Sequence, residues 1–370
     1  MSRGASSRGK GSAIMTKRKR WFLIFSFFVA FYILCLVPLQ AGAVEPAESR
    51  PFFGVALDGY PLTAFRLQAV AEELGLEPEI ITFFLQWPPR GHLEAGLFPG
   101  ESLEVIWRRG AIPCVTWEPM YYQDGEEITA HWTWILGGDY DPYLISFASQ
   151  ARAWGKPFIL RLAHEMNIRR YHWGTSKEAF GPESPYIYRR IYQYIVKLFK
   201  KAHANNVLWA FCPNAESVPN PLYDPGASWN RARNYYPGDA YVDILGMDGY
   251  NWGNSFTKEV HGWDSRWKSF REIFEPIYRE LRRQAHEKPL FVFETSTVRE
   301  GGDRERWIKE AFETCKQWRI NGWVWFQASK EQDWRLHKGE ASLLGVRPRA
   351  RGIPRPQEWI QGQVKWTEKH

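Results

Sequence analysis

Eight short apolar runs, each followed by a stretch of helical periodicity, constrain this chain more than any other feature. They are FFGVALDG (52–59), EIITFFLQW (79–87), AIPCVTWEP (111–119), PFILRLAHEMN (157–167), VLWAFCPN (207–214), VDILGMDGYN (242–251), PLFVFETST (289–297) and INGWVWFQAS (320–329). Short apolar runs between longer amphipathic segments read as strands of a parallel sheet, each returning through a helix. In SPYIYRRIYQYIVKLFKKAHANN, Ile187, Ile191, Tyr194, Ile195 and Leu198 recur at spacings of three and four, which is one face of a helix. SFREIFEPIYRELRRQAHEK and DRERWIKEAFETCKQW have the same character. Eight such units fit a single (β/α)8 TIM barrel, an α/β fold of usually about 250 residues. An open doubly wound sheet is the alternative. It would carry a glycine-rich phosphate turn after its first strand, and ALDGYPLTAF has none.

The ends of the chain differ from this pattern. The first 43 residues hold seven Lys or Arg and no Asp or Glu, and KRKR precedes the 19-residue apolar run WFLIFSFFVAFYILCLVPL. A small-residue box, AGA at 41–43, follows, so 1–43 reads as a signal peptide cut near Val44. The run is also close to the length that spans a bilayer, which leaves an uncleaved anchor as the second reading. Either way the body is expected outside the cytoplasm, touching a membrane only through this segment. Residues 44–51 read as a linker, 52–340 as the barrel, and 341–370 as a basic, proline-containing extension, solvated and extended.

Without the leader, 41 basic residues balance 41 acidic ones. A nucleic-acid partner would need a basic face on the folded domain, so none is expected. Cys35 sits in the leader, and Cys114, Cys212 and Cys315 have no disulfide or metal spacing and read as core thiols. A monomer without cofactor or metal is the expectation.

In a (β/α)8 barrel, function gathers at the C-terminal ends of the strands. Those ends carry Asp58, Trp87, Trp117 with Glu118, His164 with Glu165 and Asn167, Asn214, Asp248 with Tyr250 and Asn251, Glu294, and Trp323 with Trp325. Cleaving a glycosidic bond takes one carboxylic acid to protonate the leaving oxygen and a second carboxylate near the anomeric carbon. Glu165 ends the fourth run and Glu294 the seventh, so both project into one mouth. Sugars also need flat apolar faces with polar handles, which aromatic residues supply, and the chain has 20 Trp. Glu165 could instead form an ion pair with Arg161 or Arg169. A cap on the next helix explains Glu294 poorly, because that helix starts near Asp303. HEMN is not a zinc motif, since the second His of a zinc helix would fall at Ile168.

RLAHEMN, YYPGDAYVDILGMDGYNWG, KPLFVFETS and VWF followed by DWR resemble glycoside hydrolase family 26, retaining β-mannanases and related endo-glucanases. The resemblance covers roughly Phe53 to Leu336 and implies Glu165 as acid/base and Glu294 as nucleophile. It implies that Tyr250 bonds the nucleophile, that Trp325 lies beneath the sugar at the cleavage point, and that Trp173 lines a neighbouring subsite. His164 stands where many relatives have asparagine. Ile168, Arg169 and Arg170 depart from the family's usual sequence after HEMN, and TWEP departs from the histidine-bearing form of true mannanases. The expected substrate is therefore a β-linked polysaccharide, either β-1,4-mannan or mixed-linkage β-glucan. A non-catalytic carbohydrate-binding barrel tied to polysaccharide export, and an enzyme for an acidic polymer held by the arginines, are the alternatives.

Overall fold

The computed structural model describes residues 50–346 and 354–367. The expected leader, 1–43, lies outside the described residues. Eight parallel strands close into a barrel: β1 (Phe52–Leu57), β2 (Ile80–Gln86), β3 (Ile112–Glu118), β4 (Phe158–Leu162), β5 (Val207–Phe211), β6 (Ile244–Asn251), β7 (Leu290–Thr297) and β8 (Gly322–Phe326). Each pairs with its sequence neighbours, and β1 closes on β8. The helices that return the chain include α1 (Ala64–Leu74), α2 (Gly100–Arg108), α3 (Asp141–Trp154), α4 (Ser184–Lys201), α5 (Ala232–Tyr235), α6 (Phe270–Gln284) and α7 (Arg304–Gln317). Among the described residues no helix is long and apolar enough to cross a membrane.

Alternation along each strand divides the apolar residues into two clusters. Phe53, Val55, Trp117, Leu160, Trp209, Trp323 and Trp325 face the helices, whereas Ala56, Ile80, Cys114, Ile159, Leu208, Phe291, Phe293 and Phe326 fill the barrel. Glycine makes room for the large inner rings. A Cβ on Gly246 would lie 2.5 Å from the Phe293 ring, and one on Gly322 would run into Phe291. Cys114, Cys212 and Cys315 are buried free thiols.

Three local features depart from expectation. The fourth strand stops at Leu162 because Ala163 and Glu165 both take positive φ, 49° and 51°. A hairpin of Met120–Gln123 and Glu126–Thr129 follows β3, turning at Asp124–Gly125 with φ of 52° and 81°. An Asp-Gly pair favours that turn because both positions need positive φ. The C-terminal extension is not extended throughout. Pro356–Thr367 forms α8, with Ile360 buried and the Trp359 ring 5.7 Å from Phe52 and 5.5 Å from Phe291. Phe52 and Phe291 lie at strand starts, so α8 covers the end of the barrel opposite the C-terminal ends of the strands. The prolines masked a helix whose apolar residues had a surface to bury against.

Candidate active site

Glu294 reaches the mouth through a break in strand alternation. Phe291 and Phe293 both point into the barrel, so a regular strand would send Glu294 toward the helices. Instead β7 carries one extra residue relative to both neighbours. Met247 pairs with Val292 but Asp248 with Glu294, and Trp323 pairs with Val292 but Trp325 with Thr295. Such a bulge re-aims the following side chain, here turning Glu294 inward. Tyr250 Oη donates to Glu294 Oε2 at 2.7 Å, and Arg161 Nη2 donates to Oε1. Asp303 caps α7 by accepting from the Arg306 amide at 2.9 Å, so Glu294 has no capping role.

Glu165 is placed by a left-handed turn after β4, its amide donating to Cys212 O at 2.8 Å. A positive φ at a non-glycine residue is uncommon and concentrates at functional sites. Asn214 Nδ2 donates to Glu165 Oε1 at 2.7 Å. Asn167 in turn fixes Asn214: its Oδ1 accepts from the Asn214 amide at 2.8 Å and its Nδ2 donates to Asn214 O at 2.9 Å. Burial first, then the negative charge of Glu294, pushes the Glu165 carboxyl up to about 8, against a weaker downward pull from Asn214. Glu165 therefore holds a proton at neutral pH and has a charged carboxylate as neighbour, the environment of a general acid.

The ion pair weighed for Glu165 goes elsewhere. Arg161, fully buried on the inner face of β4, donates to Asp248 Oδ2 at 2.6 Å, to Glu294, and to Thr116 Oγ1 at 2.6 and 3.0 Å. One guanidinium thus joins three strands beneath the two glutamates. Burial raises the Asp248 carboxyl well above its ordinary range, while Arg161 opposes the rise.

Other expected residues divide sharply. His164 is buried beside Tyr171, ring centroids 4.5 Å apart, and burial with nearby Arg161 and Arg170 keeps its pKa well below the ordinary range, so it is neutral. Trp173 stacks on Tyr171 at 5.1 Å and donates to His164 O. Glu118 faces inward from β3 and accepts from Gln86, and burial lifts its carboxyl to about 7. Asp58 sits half-exposed, paired with Lys330 at 3.1 Å. Asn167 is 1% exposed and acts on Asn214 rather than facing the cleft.

Trp87, Trp117 and Trp325 are corrections to the expected sugar contacts. All three are buried in the outer layer: Trp87 packs on Trp117 and Tyr140 at 5.1 Å each, Trp117 donates to Tyr143 Oη at 3.0 Å, and Trp325 donates to Trp334 O at 2.7 Å. Period two correctly placed Trp323 and Trp325 on one face of β8. That face is the outer one, because Gly322, Val324 and Phe326 take the inner one.

Sequence reasoning missed Tyr171, whose ring lies among Glu165, Glu118 and Glu294, the charges that help raise its hydroxyl well above the ordinary range after burial. It also missed Trp334, 5.1 Å from Tyr250. The arginines after HEMN are engaged. Arg170 makes two bonds to Glu127, at 2.6 and 2.7 Å, and lies 4.8 Å over Tyr171, while Arg169 Nε donates to Lys177 O at 3.0 Å. Among the described residues no group of three or more His, Cys, Asp or Glu could hold a metal ion.

A closed (β/α)8 barrel with one glutamate at the end of β4 and another on β7 defines the class of this protein. The glycosyl hydrolase family 26 model matches residues 146–263, from α3 through β6 and into the loop beyond. Endoglucanase H of Acetivibrio thermocellus is 32% identical over 248 residues, 66% of this chain and 25% of that protein. A mannan endo-1,4-beta-mannosidase of Bacillus subtilis is 29% identical over 28% of this chain and 26% of its own length. The matches thus span about a quarter of these relatives. The structure of Bacillus subtilis mannanase BCman superposes with a TM-score of 0.56 at 17% identity, covering 80% of this chain and 85% of that one, which shows a shared fold. The match to glycosyl hydrolase family 26 lies within residues 146–263, and the likeness to endoglucanase H extends it over two thirds of the chain at most.

Proposed function

We propose that the protein is an exported, retaining endo-β-glycoside hydrolase acting on a β-linked polysaccharide, β-1,4-mannan or mixed-linkage β-glucan. The observation that carries the reading is the unequal treatment of two neighbouring carboxyls. Glu165 is held protonated near neutrality, whereas Glu294 receives hydrogen bonds from a guanidinium and a phenol that complement negative charge. In the first step Glu165 gives its proton to the glycosidic oxygen as the C1–O bond breaks, and a Glu294 oxygen bonds to C1. The aglycone leaves with the proton. In the second, Glu165, now a carboxylate, takes a proton from water as the water oxygen attacks C1 and the Glu294 ester bond breaks. Arg161 and Tyr250 hold Glu294 throughout, and Asn214 orients Glu165.

The relatives' names favour mannan or glucan. Arg170 is paired with Glu127, whereas the exposed Arg169 gives one bond to the Lys177 carbonyl, so the acidic-polymer reading keeps only Arg169 in its support. Export rests on the basic and apolar leader. The test is reducing-end release from mannan, mixed-linkage glucan, xylan and polyuronate, with azide added to Glu294→Ala. The proposal expects hydrolysis of mannan or glucan and, from the variant acting on an activated β-glycoside, an α-glycosyl azide formed by a single inverting displacement. Binding of oligosaccharide with no reducing ends released over days would instead identify a non-catalytic carbohydrate-binding barrel.

A further inference from the structure

Glu165 sits on a strained turn that its surroundings must hold. Its φ is 51° and that of Ala163 49°, and a non-glycine residue persists in that region only where neighbouring structure over-determines it. Its carboxyl accepts from Asn214, which belongs to a different segment, the loop after β5. The acid and its partner therefore stay in register only if the loops after β4 and β5 are fixed to each other. Part of that joint is backbone: Val218 N donates to Asn167 O at 2.9 Å and Arg169 N to Val218 O at 3.2 Å. The Asn167 side chain adds bonds to Asn214 O at 2.9 Å and Ser217 Oγ at 3.0 Å.

Behind the joint lies a residue that the reaction scheme does not use. Asn230 closes the 3-10 turn Pro225–Asn230 and is fully buried. Its Nδ2 donates to Asn167 O at 2.9 Å, on the loop after β4, and to Pro219 O at 2.8 Å, on the loop after β5. A primary amide carries two N–H donors on one nitrogen, so this single side chain spans both carbonyls. Tyr235 Oη, from α5, donates to Asn230 Oδ1 at 2.6 Å and fixes which end of the amide faces the loops. The Tyr235 ring is itself buried, 5.8 Å from the Tyr188 ring of α4. An apolar side chain in place of Asn230 would fill that space at less desolvation cost, but it would leave the two loops unlinked at this point.

We propose that Asn230, oriented by Tyr235, is a positioning residue for proton transfer: it sets the spacing of the loops that carry Glu165 and Asn214, and so the aim of the Glu165 carboxyl at the leaving oxygen. The proposal rests on the hydrolase reading, in which Glu165 is the acid. Its test separates proton donation from everything else the fold does. A dinitrophenolate leaves without protonation, whereas a phenolate needs the acid, and kcat/KM reports that first bond cleavage. The substrates are phenyl and dinitrophenyl β-mannobioside and β-cellobioside, with far-UV circular dichroism of each variant to confirm folding. Asn230→Ala should lower kcat/KM for the phenyl glycoside by about 10-fold and Tyr235→Phe by less, with the dinitrophenyl value unchanged, from the cost of a misaimed acid. In both variants the fall of phenyl-glycoside kcat/KM at alkaline pH should move to higher pH, because loosening Asn214 removes a bond that favours the charged form of Glu165. Equal losses on the two leaving groups, or no loss on either, in a folded variant overturns the positioning role and leaves the hydrolase reading intact. If Asn230→Ala does not fold, Tyr235→Phe, which keeps the buried ring, decides on the same readouts. A parent that releases neither phenol from these glycosides nor reducing ends from mannan or mixed-linkage glucan overturns the hydrolase reading, and the proposal with it.

Discussion

Replacing Arg161 with Met would remove the only cation among the described residues that bonds both Asp248 and Glu294. The substitution nearly conserves volume, so the main loss is electrostatic. Asp248 and Arg161 are fully buried and Glu294 is 5% exposed, so two carboxyl groups would be left in the barrel without their cation, Tyr250 remaining as a donor to Glu294. Removing one partner of a buried ion pair costs about 3–5 kcal/mol. At about 3 °C per kcal/mol for a domain of this size, Tm should fall by about 10 °C near pH 8. The sign of the pH dependence follows from Asp248. Its folded pKa is raised, so its contribution to stability is full below the unfolded pKa and is lost as pH rises through the folded one. Without Arg161 the rise is larger, and the deficit should therefore shrink as pH falls toward 5. Scanning calorimetry at pH 5 and 8 measures this directly, with Arg161→Met/Asp248→Asn expected to recover part of the loss. A Tm within about 2 °C of the parent at pH 8 would refute the claim that Arg161 compensates those charges, since even the low end of the buried-pair range exceeds it.

Activity should fall as pH rises through about 8, because Glu165 must be protonated to act as the acid, and kcat/KM against pH reports that limb. Asn214→Ala removes a hydrogen bond that lowers the Glu165 pKa, so the same limb should move to higher pH; movement to lower pH would contradict the assignment. Tyr250→Phe deletes one of the two donors to Glu294 and should reduce kcat by about 100-fold, the usual scale for a donor at a developing or displaced charge, with Tm little changed. Trp359→Ala should lower Tm through a loss of about 3 kcal/mol of packing while kcat/KM stays at the parent value, since α8 covers the far end of the barrel.

The architecture was legible because βα alternation is written in hydrophobicity, and each of the eight apolar runs contains one barrel strand. The two glutamates and Tyr250 were legible as polar residues that end apolar strands. Side-chain direction was harder. Trp117 could have been assigned outward from its neighbour, because an inward Glu118 forces the preceding residue to the other face. Trp325 required the bulge in β7 and the crowding of Gly322 by Phe291, neither of which a single strand's pattern reveals. Arg161 looks like an interruption in FILRL until the fold brings Asp248, 87 positions away, against it. Tyr171 follows two arginines in a short 3-10 turn with no periodicity to betray its burial. The helix at 356–367 was hidden by its flanking prolines, although Pro at a helix start is favourable.

The central claim, that Glu294 forms the covalent intermediate with Glu165 as its acid, is tested most directly by trapping. Incubation with an activated 2-deoxy-2-fluoro-β-glycoside of the preferred sugar, followed by peptide mass spectrometry, should find one glycosyl adduct, on the peptide containing Glu294 and absent from Glu294→Gln. An adduct on any other carboxylate, or turnover of that substrate with inversion at the anomeric carbon and no adduct, would contradict it.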